Sequence, residues 1–175
     1  MTEIEGPILL DTDILVHLAR GKEPARRLDE RYRLRTLREK PFLSIVTVGE
    51  MLAFARSSGW GEEKRERLAE IARELVIVDI RPGPIVEAFA ELKTFAKEQG
   101  EAIGDNDLWI AATARAIGAC LLTTDRDFDF LDGRFIRREW IDPRGLAGPT
   151  RVSEPLAAYP RDPLPGGEVG SATPT

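Results

Sequence analysis

Short apolar runs alternate with longer stretches of helical period through the first 142 residues. Ile8-Leu9-Leu10 stops at Asp11-Thr12-Asp13, residue types that favour helix N-termini. Ile14, Leu15 and Leu18 then mark a helix that ends at Gly21. Glu23 to Lys40 predicts a charged helix with Leu28, Tyr32, Leu34 and Leu37 as its sparse apolar side. Pro41 breaks it, and Phe42 to Ile45 reads as a second buried strand. Thr47 with Glu50 three residues later has capping-box spacing, predicting a helix from Val48 to Ala55. A solvated helix over Glu62 to Glu74 precedes the β-branched run Leu75-Val76-Ile77-Val78.

Ile85 to Lys97 forms a further amphipathic pattern before Gly100. Asp105-Asn106 fits the cap of a helix from Asp107 to Ala116, with Gly118 placed as a C-cap glycine. Cys120 to Thr123 predicts a fourth strand and Arg134-Phe135-Ile136 a last short one. Strands alternating with helices imply βαβ units, hence an α/β fold: a three-layer α/β/α sandwich around a mainly parallel sheet. From Pro143 the sequence becomes rich in Pro and Gly without a sustained period. Residues 1–142 are therefore expected to be one folded domain and residues 143–175 a disordered tail.

Composition narrows the class. A 175-residue chain with 42% hydrophobic and 31% charged residues has the make-up of one globular domain. Its single cysteine, Cys120, excludes an internal disulfide and sits in an apolar run, so it reads as core. No stretch suits a bilayer span and the acidic N-terminus lacks a signal-peptide pattern, so a cytoplasmic location is expected. The net charge of −5 argues against binding nucleic acid through bulk positive potential, but carboxylates that hold metal enter that sum as negative. The densest basic run, Arg26, Arg27, Arg31, Arg33, Arg35, Arg38 and Lys40, is interspersed with acids and reads first as a solvated helix face, with phosphate contact as the alternative.

Candidate chemistry lies at the strand ends. In an open parallel sheet, ligands bind beyond the carboxyl ends of the strands where strand order reverses. Asp11 follows the first strand and Asp125 the strand Cys120 to Thr123, with Asp107 and Glu50 in the first turns of neighbouring helices. Carboxylates gathered in this way repel unless a cation neutralises them, and oxygen-only ligands suit Mg²⁺, Mn²⁺ or Ca²⁺. A hard divalent ion supports phosphodiester hydrolysis by water, without a protein nucleophile. The only histidine, His17, falls mid-helix, so neither a Ser-His-Asp triad nor a histidine–zinc site has its parts, and Gly-rich phosphate loops are absent. Each acid also has a bland reading: Asp11 or Asp13 as a helix cap, Asp105 as a cap, Glu50 as a capping-box residue, Asp125 as a turn residue, Asp127 and Asp129 as solvated.

Four segments carry a family resemblance: Ile8-Leu9-Leu10-Asp11-Thr12-Asp13-Ile14-Leu15, Ser44-Ile45-Val46-Thr47-Val48-Gly49-Glu50, Asp105-Asn106-Asp107-Leu108-Trp109-Ile110-Ala111-Ala112-Thr113-Ala114 and Leu121-Leu122-Thr123-Thr124-Asp125-Arg126-Asp127-Phe128. Together they resemble the PIN domain, and within it the VapC toxins of toxin–antitoxin pairs, over roughly residues 6–142. The resemblance implies a Mg²⁺-dependent endoribonuclease, with Mn²⁺ able to substitute, acting as a homodimer and inhibited by a small VapB-type antitoxin. It puts the catalytic acids at Asp11, Glu50, Asp107 and Asp125. Asp11 and Asp107 are implied as direct metal ligands and Asp125 as a further one, directly or through water. Glu50 would act through water or position the nucleophile, and Asp13 and Thr123 would support the site from behind. Two other readings stay open: a metal-dependent DNase or flap-type nuclease, and a non-catalytic RNA-binding module.

Overall fold

Ile8–Leu10 (β1), Phe42–Ser44 (β2), Val76–Val78 (β3), Cys120–Thr123 (β4) and Arg137–Trp140 (β5) form one five-stranded sheet in the order β3-β2-β1-β4-β5. The computed structural model describes residues 4–20, 22–34, 36, 37 and 39–146. Every strand pairing is parallel, with Ile8, Leu9 and Leu10 opposite Cys120, Leu121 and Leu122. The chain adds β2 and β3 on one side of β1, then crosses to add β4 and β5 on the other. Strand order therefore reverses between β1 and β4, which opens a crevice at their carboxyl ends.

Helices cover both faces, and the period-2 alternation of the strands decides which side chain goes where. Ile8, Leu10, Leu43 and Leu122 join a core beneath Thr12–Arg20 (α1), Lys22–Tyr32 (α2), Ile45–Ser57 (α3) and Glu62–Arg73 (α4). Leu9 and Leu121 point the other way, into a core with Pro84–Gln99 (α5) and Asp105–Ile117 (α6). Burial on both faces explains why β1 and the first three residues of β4 are apolar. Cys120 is buried in β4, as its sequence context indicates. Gly118 closes α6 at φ 66°, a left-handed conformation that glycine adopts without steric cost. Among the described residues no helix is long and apolar enough to cross a membrane.

Four expectations need correction. The helix predicted from Glu23 to Lys40 ends at Tyr32, because Arg33 takes φ 52° and cannot continue it. Its arginines are largely neutralised in place: Arg26 and Arg27 pair with Glu23 at 2.8 and 2.9 Å, and Arg31 with Glu139 at 2.9 Å. The capping box does not form. Ser44 is the cap of α3, accepting the Val46 N–H at 3.3 Å, which leaves Thr47 buried inside the helix and frees Glu50 for other contacts. Asp105 does not cap α6 either, since Gly104 holds that position and Asp105 binds Lys93.

The last strand is Arg137–Trp140 rather than Arg134 to Ile136. Ile136 is buried and Phe135 packs against the same apolar cluster from a loop, while the charged segment beyond them pairs with β4 as an edge strand. Pro143–Leu146 forms a short helix, α7, with Leu146 buried and the Gly145 carbonyl accepting from Arg27 at 2.6 Å. The rest of the expected tail, 147–175, lies outside the described residues.

Candidate acidic active site

The site begins where the sheet ladder ends. Asp11 N–H donates to the Leu122 carbonyl at 3.0 Å, extending β1 by one residue and fixing the Asp11 backbone at the crevice. Its side chain is 5% exposed, so a charge there needs partners. One carboxylate oxygen accepts the Thr12 N–H at 2.7 Å and the other the Thr123 hydroxyl at 2.6 Å. Those bonds favour the ionised form but do not prevail: burial, then the Asp13 charge, push the Asp11 carboxyl up to about 8, with Asp107 adding a smaller repulsion.

Asp13, one helix step on, accepts the Thr124 N–H at 2.7 Å and the Thr124 hydroxyl. Burial raises its pKa as well, and its Oδ1 is buried with no hydrogen-bond partner. His17, half-buried four residues along α1, partly offsets that rise by its charge. Thr123 has a double role, since its hydroxyl oxygen also accepts the Asp125 N–H at 2.9 Å. One side chain thereby links the acid after β1 to the acid after β4.

Glu50 reaches the same crevice from α3. Its carboxylate accepts the Thr12 hydroxyl at 2.5 Å and the Asn106 amide at 2.8 Å, which ties α3 to the first turns of α1 and α6. Asp107 sits in the first turn of α6, where the helix dipole favours negative charge. Its carboxyl is nevertheless pushed up to about 6, by burial first and then by the charges of Glu50, Asp125 and Asp127. Asp125 holds its own loop, accepting the Asp127 N–H at 2.8 Å. Asp11, Glu50, Asp107 and Asp125 are thus brought to one edge of the sheet, where Glu50 and Asp125 act on Asp107 and Asp107 on Asp11.

The donor set fits a hard divalent cation. Every candidate ligand is a carboxylate oxygen, burial and neighbouring carboxylates raise the Asp11 and Asp107 carboxyls, and a buried oxygen of Asp13 has no protein donor. Among the described residues no three acids already stand grouped as ligands of one ion. Asp11 and Glu50 are turned to protein donors at both oxygens, though each oxygen keeps a second lone pair.

Several residues here carry no obvious sequence signal. Thr12 and Asn106 look like ordinary capping types but grip Glu50 across 38 and 56 positions. Gly104 leaves room that a side chain would fill: a Cβ placed there would lie 2.9 Å from Asp107 Oδ2. Its φ of −67° suits alanine, so Gly104→Ala is expected to displace the Asp107 carboxylate with little backbone strain. The expected result is a loss of activity of about 10-fold or more with a melting temperature within about 2 °C of wild type, read by parallel cleavage and thermal-melt assays.

Comparisons with known proteins identify the family of this fold. Residues 8–133 match the PIN domain. The chain is 30% identical over 122 residues to Ribonuclease VapC2 of Haemophilus influenzae, covering 69% of this chain and 89% of that protein. VapBC2 of Rickettsia felis, solved bound to a DNA fragment from its promoter, shares the fold with a TM-score of 0.64 at 23% identity, over 76% of this chain and 98% of that one. A toxin–antitoxin complex from Klebsiella pneumoniae gives a TM-score of 0.52 at 26% identity, over 69% and 89% of the two chains. This chain, an all-parallel sheet flanked by helices, belongs to the PIN domain family, in its VapC branch.

Proposed function

We propose that the protein is a divalent-metal-dependent endoribonuclease and the toxin half of a type II toxin–antitoxin pair. The observation that carries the reading is the hydrogen-bonded crevice at the reversal of strand order, where Thr123 joins Asp11 to Asp125 and Glu50 ties the first turns of α1 and α6 together beside Asp107. Asp11, Asp107 and Asp125 would hold Mg²⁺ or Mn²⁺, with Glu50 beside them. The ion would supply Lewis-acid stabilisation of the phosphodiester and lower the pKa of a water. The protein's own part is positioning. Thr12, Thr123 and Asn106 aim the carboxylates, and Asp13 braces the Thr123-Thr124 segment from below.

The VapC2 relative is named a ribonuclease, and the structural neighbours are solved as complexes with their antitoxins, which supports an RNA substrate and a VapB-type partner here. A homodimer acting in the cytoplasm completes the reading. The test is cleavage of total cellular RNA by purified protein with Mg²⁺ or Mn²⁺. Discrete fragments that disappear with EDTA support the assignment. Cleavage of DNA in preference to RNA, or no cleavage by folded, antitoxin-free protein, overturns it.

A further inference from the structure

Beyond the acids, the segment that carries Asp125 also carries a cation that is mostly exposed. Arg126 follows Asp125 directly, and its side chain is 64% exposed. Its guanidinium lies 3.9 Å from the centroid of the Trp140 ring, a stacking distance. Trp140 is itself fixed, donating its indole N–H to the Thr124 carbonyl at 2.9 Å. Two residues earlier on β5, Arg138 donates to the next carbonyl, that of Asp125, at 3.1 Å. The edge strand thus grips consecutive carbonyls of the acid-bearing loop, and the Arg126–Trp140 stack is rigidly referenced to Asp125.

Arg126 is held only loosely by the acids around it, Asp142 feeling its charge and Asp129 being shared with Arg138. Asp129 Oδ1 receives the buried Arg138 guanidinium at 2.6 Å, whereas Asp129 Oδ2 stands 3.6 Å from Arg126. With Arg138 only 9% exposed, that pair is the tighter and less screened of the two. Arg126 therefore presents a pre-oriented, mostly solvent-facing fork of N–H donors, the geometry suited to a phosphate.

We infer that Arg126, backed by Trp140, is a substrate-binding residue that holds a phosphate of single-stranded RNA beside the scissile bond. The inference rests on the ribonuclease reading and adds to it the residue that offsets the repulsion between an acidic centre and a polyanion.

The test measures binding of a short fluorescein-labelled single-stranded RNA in the Asp107→Asn background, which keeps the probe intact. Adding Arg126→Ala is expected to weaken binding about 10-fold and to reduce the slope of log affinity against log salt by about 0.7, the value of one lost phosphate contact. Arg126→Lys should keep the slope while recovering only part of the affinity, because a point charge replaces the fork. In the otherwise wild-type chain, Arg126→Ala should raise KM by a similar factor and leave kcat within about 2-fold. The divalent-induced rise in melting temperature should not change. Unchanged RNA affinity and slope in the alanine variant overturns the inference while leaving wild-type cleavage untouched. A loss of metal response in that variant also overturns it, since Arg126 would then be acting through the loop. If the Asp107→Asn protein binds no RNA and the wild-type chain cleaves none, the inference and the ribonuclease reading fall together.

Discussion

Asp107→Asn is expected to reduce divalent-dependent RNA cleavage by about 100-fold or more and, in the same protein, to raise the melting temperature. Both effects have one cause. The Asp107 carboxyl is pushed from 3.8 to about 6, first by burial and then by Glu50, Asp125 and Asp127. A folded-state pKa above the unfolded value means that ionisation works against folding. The penalty is absent below about pH 4, grows as the group ionises, and is complete above about pH 6. Asparagine keeps the shape and carries no charge, so the variant should gain over wild type across that window and hold the gain at neutral pH. Allowing for solvent screening of a half-exposed carboxylate, the gain is about 1 kcal/mol, or about 2–4 °C. Thermal melts at pH 4 and pH 7.5 without added metal check it. Equal melting temperatures at the higher pH would mean that Asp107 is not under electrostatic load, and undiminished cleavage would remove it from the site.

Phe128→Ala should have the largest effect on stability. Phe128 is fully buried in the core beneath α5 and α6, three residues after Asp125. Truncation leaves a cavity where a whole ring had packed, at a cost of about 3–5 kcal/mol, which lowers the melting temperature by about 10 °C or more. The ring also anchors the segment on which Asp125 and Asp127 are strung. Calorimetry should therefore show weaker divalent stabilisation in the variant than in wild type even at temperatures where both are folded. Phe128→Leu, which keeps most of the volume, should recover most of both losses.

Sequence patterns reached the parts of this fold that burial dictates. β1 and the first three positions of β4 are apolar because both faces are covered, and the acids that follow these strands mark their ends. The pattern failed where the backbone, not side-chain burial, decides. β5 reads Arg-Arg-Glu-Trp and pairs with β4 by its main chain at the sheet edge, while the more apolar Phe135-Ile136 just before it serves the core from a loop. Likewise Ser44 and Thr47 are equally good caps by residue type, and only the end of β2 selects Ser44. At the site, the acids were legible as residues beyond strands. Their holders Thr12, Asn106, Thr124 and Arg138 were not, because each contact depends on inter-element register that local spacing does not encode.

The hydroxyl of Thr123 holds Asp11 across 112 positions of chain, and β4 is the neighbour that completes β1. A ribosome delivers the N-terminal end first, so Asp11, Glu50 and Asp107 all emerge before the strand that draws them into one crevice. Until Thr123 has been made, these acids belong to an open half-sheet with one side of β1 unpaired. The acid centre is in that sense late in the order of assembly. Any catalyst resting on it is silent until β4 has emerged and paired with β1.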